Sequence, residues 1–251
     1  MPKTKAKAKG KAPQPKPSAG PLPTWPLVTM HAEALDVREV IPDHVYTIAD
    51  LFSLEDCQRW IAFAERGSGF PAVGPVVAPP RGHAFRNNAR LAFQDPAFAQ
   101  MLWERSGLAR LLAPWRLAGR RVVRGDRSTA PGPRPVGLNG NLRLYRYEPG
   151  QRFDAHYDDW VLDSLGRRSE FTLLIYLNDP GTDPSGVAGP SRPGDPGGET
   201  VFYPDRGTAV AVSPRAGLAL LHRHGAHCLR HEGREVHRGV KYVLRSDVVY
   251  A

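Results

Sequence analysis

Cysteine is scarce in this chain: Cys57 and Cys228 are the only two in 251 residues. Two thiols cannot make the disulfide framework of a small secreted scaffold, and so few of them point to a reducing compartment. Both are read as small buried hydrophobes. Long apolar runs are missing too. Nothing approaches the roughly 20 apolar residues a membrane helix needs, and no charged-then-apolar leader opens the chain. The expectation is a soluble intracellular protein, cytoplasmic or nuclear, with no membrane partner. Acid is absent from residues 1–25, which hold Lys3, Lys5, Lys7, Lys9, Lys11 and Lys16. These lysines supply +6 of the formal net charge of +9, so the folded part is only weakly basic. A Lys/Ala/Pro segment with almost no large apolar side chain cannot offset its ordering entropy. Residues 1–26 are therefore expected to be a disordered tail. It is either solubilising or an arm for nuclear localisation or nucleic-acid binding.

What remains fits one domain over residues 27–251, long enough to bury a core. Helices cluster early. Ser53 caps a helix over residues 54–66, with Leu54, Cys57, Trp60, Ile61 and Ala64 as its apolar face. A second helix is expected from Pro96 to Leu112, with Phe98, Met101, Leu102 and Leu108 inward. Both buttress a sheet and end by about residue 115. Short strands are expected at residues 40–41, 45–48, 142–147, 170–177, 200–203, 209–212, 218–221 and 242–250, bounded by Gly, Pro and Asp turns. This mainly β pattern with flanking helices argues a double-sheet jelly roll or barrel, with its core over about residues 137–251. Between Pro180 and Gly198, 11 of 19 residues are Pro or Gly, which reads as a long surface loop or a lid.

The chemistry concentrates at His156-Tyr157-Asp158, with His231 far downstream and Lys241 ten residues beyond it. On a strand, His156 and Asp158 point to one face. A second His then completes a two-His-one-carboxylate triad that suits Fe(II) and leaves positions open. Asp159 is the rival carboxylate, but its parity puts it on the opposite face. The distal His is less defined, because His222, His224, His227, His231 and His237 crowd one region and a His-rich tract can itself bind metal.

Three spaced elements together resemble the iron- and 2-oxoglutarate-dependent dioxygenases of the prolyl 4-hydroxylase superfamily. They are His156-Tyr157-Asp158, then Gly197-Gly198-Glu199-Thr200-Val201-Phe202, then His231-Glu232-Gly233 running through Val236 and Gly239 to Lys241. The resemblance covers about residues 40–251 and implies a double-stranded β-helix, cupin-like, the class reached above from the strands. It also implies that His156, Asp158 and His231 bind iron and that Lys241 pairs with the 5-carboxylate of 2-oxoglutarate. His231 alone heads the matching pattern, with His224 in reserve. Tyr147 and Tyr176 lie where relatives place aromatics that contact the cosubstrate. Arg245 shares the strand face of Lys241 by parity and is a candidate contact to the cosubstrate or the substrate. Arg86, Asn88, Arg90 and Asn139 are candidates for the substrate mouth.

The implied reaction takes O2 and 2-oxoglutarate to succinate and carbon dioxide while hydroxylating a substrate, with ascorbate as accessory. A protein side chain, prolyl above all, is the first expectation for that substrate. A nucleic-acid oxidative demethylase, motivated by the basic tail, stays open. So does a metal-retaining binding module without turnover.

Overall fold

The structure, a computed structural model, describes residues 23–29, 35–66, 69–73, 78–119, 121–124, 132–180 and 195–251. Chain order runs through β1 (Val37–Ile41), β2 (Val45–Ile48), α1 (Leu54–Glu65), β3 (Ala89–Gln94), α2 (Pro96–Arg105) and α3 (Leu108–Leu112). A small hairpin follows, β4 (Arg116–Ala118) with β5 (Arg121–Val123). Then come β6 (Pro135–Leu138), β7 (Asn141–Tyr147), β8 (Phe153–His156), β9 (Arg168–Tyr176) and β10 (Thr200–Tyr203). The last strands are β11 (Val210–Val212), β12 (Ala219–Arg223), β13 (Arg230–Gly233) and β14 (Lys241–Tyr250).

Two antiparallel sheets face each other. The larger runs β1-β2-β12-β9-β14-β7-β3, with β6 also paired to β14. The smaller runs β11-β10-β13-β8. Alternation along the strands of the larger sheet separates two cores. Phe171, Leu173 and Ile175 of β9, Leu142 and Leu144 of β7 and Leu221 of β12 pack against the helices with Trp60, Leu102, Leu108 and Trp115. Tyr176, Tyr145, Tyr147, Val243 and Leu220 face the other way, where Phe202, Val212 and Val236 meet them. That inner space, lined by alternate residues of both sheets, holds the site.

The helices differ from expectation in three respects. The cap at Ser53 is a capping box: its hydroxyl accepts from Asp56 N–H, and the Asp56 carboxylate accepts from Ser53 N–H. The buried stripe of α1 is Asp56, Cys57, Trp60 and Ala64, whereas Leu54 is 68% exposed. At 3.6 residues per turn Leu54 sits roughly 90° off the centre of that stripe. Asp56 tolerates burial because Thr29, Ser53 and Arg59 all donate to it. The single helix expected over Pro96–Leu112 is two. Asp95 and Pro96 start α2 as composition predicts, but Gly107 adopts φ +82° and turns the chain before α3.

Four strand regions escaped the sequence reading: β3, β6, the β4–β5 hairpin and β13. In β13, Arg230-His231-Glu232-Gly233 has weak strand propensity, yet it is paired on both sides, by β10 and β8. Tertiary pairing overrides composition there. Trp25 and Pro26, placed in the tail by composition, belong instead to a docked segment. Trp25 stacks on Phe98 at 4.4 Å and its indole N–H donates to Asp95 at 2.7 Å. Val28 is fully buried. Most of the expected tail, and residues 181–194 of the expected lid, lie outside the described residues. Among the described residues no helix is long and apolar enough to cross a membrane.

Candidate active site

Register places the two histidines. His156 ends β8 directly opposite His231 on β13, and Phe202 of β10 lies opposite His231 on the other side. The imidazole rings of His156 and His231 stand 4.4 Å apart, with Phe153 stacked on His156 at 3.6 Å. Asp158 comes to them by a different route from the strand alternation expected of it. β8 stops at His156, so loop contacts orient the carboxylate. Asp158 N–H donates to the Cys228 sulfur at 3.2 Å and its carbonyl accepts from Gly225 N–H at 2.9 Å. Asp159 turns outward, where its carboxylate accepts from Trp160 N–H.

The Asp158 carboxylate is the hub. Its Oδ1 lies 3.6 Å from His156 Nε2, and its Oδ2 lies 3.9 Å from His231 Nε2. Thr172 donates to Oδ2 at 2.8 Å and the Arg245 guanidinium pairs with it at 2.9 Å. Burial alone would raise the acid's pKa. The Arg245 guanidinium outweighs it and holds Asp158 well below the usual carboxylate range. Burial and the nearby His156 push His231 down to about 4, so its ring is neutral at physiological pH. Nδ1 of His156 lies 2.8 Å from the Asp154 carbonyl, and Nδ1 of His231 lies 2.9 Å from the Leu229 carbonyl. A carbonyl only accepts, so each Nδ1 carries its proton and each Nε2 turns a lone pair toward Asp158. Donor atoms of His156, Asp158 and His231 all fall within 4.8 Å of one another. Lone pairs and a carboxylate converging in a buried space repel one another unless a cation lies among them. This donor set fits one divalent metal.

His224, the reserve for the distal position, approaches Asp158 only through Thr172, which lies 3.2 Å from its Nδ1. His222 is the residue the sequence reading missed. It points inward one residue past the strand expected over Leu218–Leu221, with Nε2 3.6 Å from Asp158 Oδ2. Extending the alternation of Leu218 and Leu220 by one step would have found it.

Lys241 begins β14 opposite Tyr147 and is 3% exposed. Its ammonium donates to the Gly198 carbonyl at 2.5 Å and lies 5.2 Å and 5.4 Å from the Tyr147 and Tyr176 ring centres. Gly198 suits this close approach: a Cβ there would crowd Val236 at 3.2 Å and Lys241 at 3.3 Å, and its φ is +84°. Among the described residues no carboxylate lies at ion-pair distance from Lys241. Burial pushes its pKa down to about 8, against a weaker opposing pull from Glu199. The Tyr176 hydroxyl donates to Thr200 at 2.7 Å. Arg245 engages Asp158 and, at 3.7 Å, Asp247, whose other oxygen pairs with Arg143.

The candidates for the mouth divide. Arg86 lies over the Phe153 ring at 4.9 Å and the Tyr145 ring at 5.7 Å, beside the histidines. Arg90 pairs with Tyr145 on the edge strand β3 and shares its inner face. Asn88 donates to the Ala89 carbonyl, and Asn139 serves the β6–β7 turn by accepting from Asn141 N–H.

Residues 142–246 match the 2OG-Fe(II) oxygenase superfamily model, a span that holds His156, Asp158, His231, Lys241 and Arg245. The chain carries a 2OG-Fe(II) oxygenase domain. Fe(II) and 2-oxoglutarate are the metal and cosubstrate that family implies. Solved structures share the fold. A viral collagen prolyl hydroxylase from Paramecium Bursaria Chlorella virus-1, in complex with 2-oxoglutarate, is 18% identical with a TM-score of 0.51; the match covers 82% of this chain and 96% of that one. A prolyl hydroxylase from Trichoplax adhaerens, bound to a peptide of a hypoxia-inducible factor degradation domain, is 15% identical with a TM-score of 0.52. That match covers 82% of this chain and 84% of that one. The two facing sheets are thus a double-stranded β-helix. No curated protein matches the chain.

Proposed function

We propose that this oxygenase domain hydroxylates a side chain of a protein substrate, prolyl above all, with His156, Asp158 and His231 holding Fe(II) and Lys241 anchoring 2-oxoglutarate. The observation that carries the reading is Lys241: a buried ammonium, facing inward with the metal donors, whose nearest partner is a carbonyl. A buried cation without a countercharge is costly, and a dicarboxylate supplies one. Lys241 lies four residues from Arg245 along β14, roughly 13 Å at strand rise. A five-carbon diacid together with the lysine stem spans such a gap.

Iron with 2-oxoglutarate supplies the oxidising chemistry, releasing succinate and carbon dioxide, and ascorbate is the proposed accessory reductant. The chain does the rest. Thr172 and Arg245 fix the rotation of the Asp158 carboxylate. The backbone carbonyls of Asp154 and Leu229 fix the two imidazoles. Phe153, Phe202 and Val236 exclude water from the space between the sheets. Arg86, beside Phe153, is positioned to meet the substrate. The prolyl preference is supported by the peptide-bound Trichoplax relative, at the level of shared fold. The nucleic-acid alternative rests on the basic tail alone, most of which lies outside the described residues.

The test is Fe(II)-dependent succinate release from 2-oxoglutarate, followed by mass spectrometry of proline-containing peptides for a product one oxygen atom heavier. Peptide hydroxylation coupled to succinate supports the reading. Succinate release coupled only to a methylated nucleic acid would replace it.

A further inference from the structure

His222 has no part in the family triad, yet it is built into the same centre. It lies on β12 opposite Thr172 of β9, so its side chain enters the inner space beside the Asp158 hub. The ring is 2% exposed, stands 4.5 Å from the His231 ring and lies edge-on to Phe202 at 5.3 Å. Its Nδ1 lies 3.2 Å from the Arg223 carbonyl, an acceptor, so the proton sits there and the Nε2 lone pair is free. That Nε2 is buried without a hydrogen-bond partner and lies 3.6 Å from Asp158 Oδ2. The third imidazole therefore has the same tautomer as His156 and His231 and is aimed at the same carboxylate. Donor atoms of His222 and His231 also fall, with the Cys228 sulfur, within 4.8 Å of one another. A lone pair left unsatisfied against a carboxylate is unfavourable in a core. A cation shared with Asp158 and His231 removes the conflict.

We propose that His222 is a fourth protein donor to the metal while 2-oxoglutarate is absent, and that the chelating cosubstrate takes its place. The inference rests on the metal centre assigned under Proposed function. Its second half follows from counting positions. Three protein donors, two cosubstrate oxygens and O2 fill an octahedral metal. Were a fourth protein donor to stay bound beside the chelating cosubstrate, all six positions would be filled and none left for O2. His222 therefore holds the resting metal and gives up its position when 2-oxoglutarate binds.

Co(II) is the probe, titrated calorimetrically into the whole chain with and without saturating 2-oxoglutarate. His222→Leu and His222→Gln should each weaken Co(II) binding by about tenfold or more without 2-oxoglutarate, the low end of what loss of even a supporting group costs. With 2-oxoglutarate bound, both variants should match wild type to within about threefold, since the contact that once separated them is gone in both. Equal affinities without 2-oxoglutarate overturn the proposal and leave His222 a packing residue. His156→Ala separates this from failure of the metal centre itself: wild-type Co(II) affinity in that variant removes the centre altogether. X-ray absorption of Co(II)-loaded wild-type protein needs no variant. Three imidazoles falling to two on addition of 2-oxoglutarate is the expected result, and a constant count of two or three overturns it.

Discussion

Lys241 is where one side chain decides most. If its ammonium meets the distal carboxylate of 2-oxoglutarate, Lys241→Ala should raise the apparent KM for 2-oxoglutarate by roughly tenfold or more, a lost charge-assisted bond of about 1.5–3 kcal/mol. Metal binding should survive, because the three donors are untouched. The same residue sets a pH dependence. Its folded pKa is lowered to about 8 from 10.5. Between those values the unfolded chain holds the proton and the folded chain does not, so this group's contribution to stability rises with pH there. Cosubstrate binding runs the other way, since it needs the ammonium. The KM for 2-oxoglutarate should climb above about pH 8, by up to about tenfold per unit, and Lys241→Arg should flatten the climb. A profile that is flat in wild type as well would assign the anchor elsewhere. His156, Asp158 and Lys241 stood out in the sequence through residue type, spacing and the family pattern they match, although loop contacts and not strand alternation orient Asp158. His222 and the Arg245–Asp158 pair did not, since both depend on which strands become neighbours across the sheets.

The elements that carry no chemistry still set its geometry. Gly107 separates α2 from α3, and apolar periodicity could not reveal a break made by one left-handed residue. Gly107→Ala should cost about 1–2 kcal/mol, the penalty of a Cβ in that region. Thermal unfolding of the variant should show a midpoint lower by a few degrees. An unchanged midpoint would mean that α2 and α3 tolerate a continuous helix. The Ser53 cap was readable from composition, whereas the outward turn of Leu54 was not. A helix face is fixed by what it packs against, and here Cys57, Trp60 and Ala64 meet the core. β13 makes the same point for strands: its register against β8 brings His231 opposite His156, and nothing in its four residues announces a strand.

For the whole molecule, the docked part of the chain reaches back at least to Trp25. Trp25 joins an aromatic group with Trp60, Phe63, Phe93 and Phe98, so Trp25→Ala should cost on the order of 2 kcal/mol. Deleting residues 1–22, whose composition offers almost nothing apolar to bury, should leave the unfolding midpoint in place. Deleting residues 1–26 should lower it. Equal midpoints for the two deletions would mean that Trp25 contributes nothing. The facing of two sheets, legible from many short strands and turns, makes the interior in which three histidines, one aspartate and one lysine converge. The most direct test of that convergence is Fe(II)-dependent conversion of 2-oxoglutarate to succinate by wild type, His231→Ala and His224→Ala side by side. Turnover should be lost in His231→Ala and kept in His224→Ala, which touches Asp158 only through Thr172. Full turnover in His231→Ala with loss in His224→Ala would contradict the account.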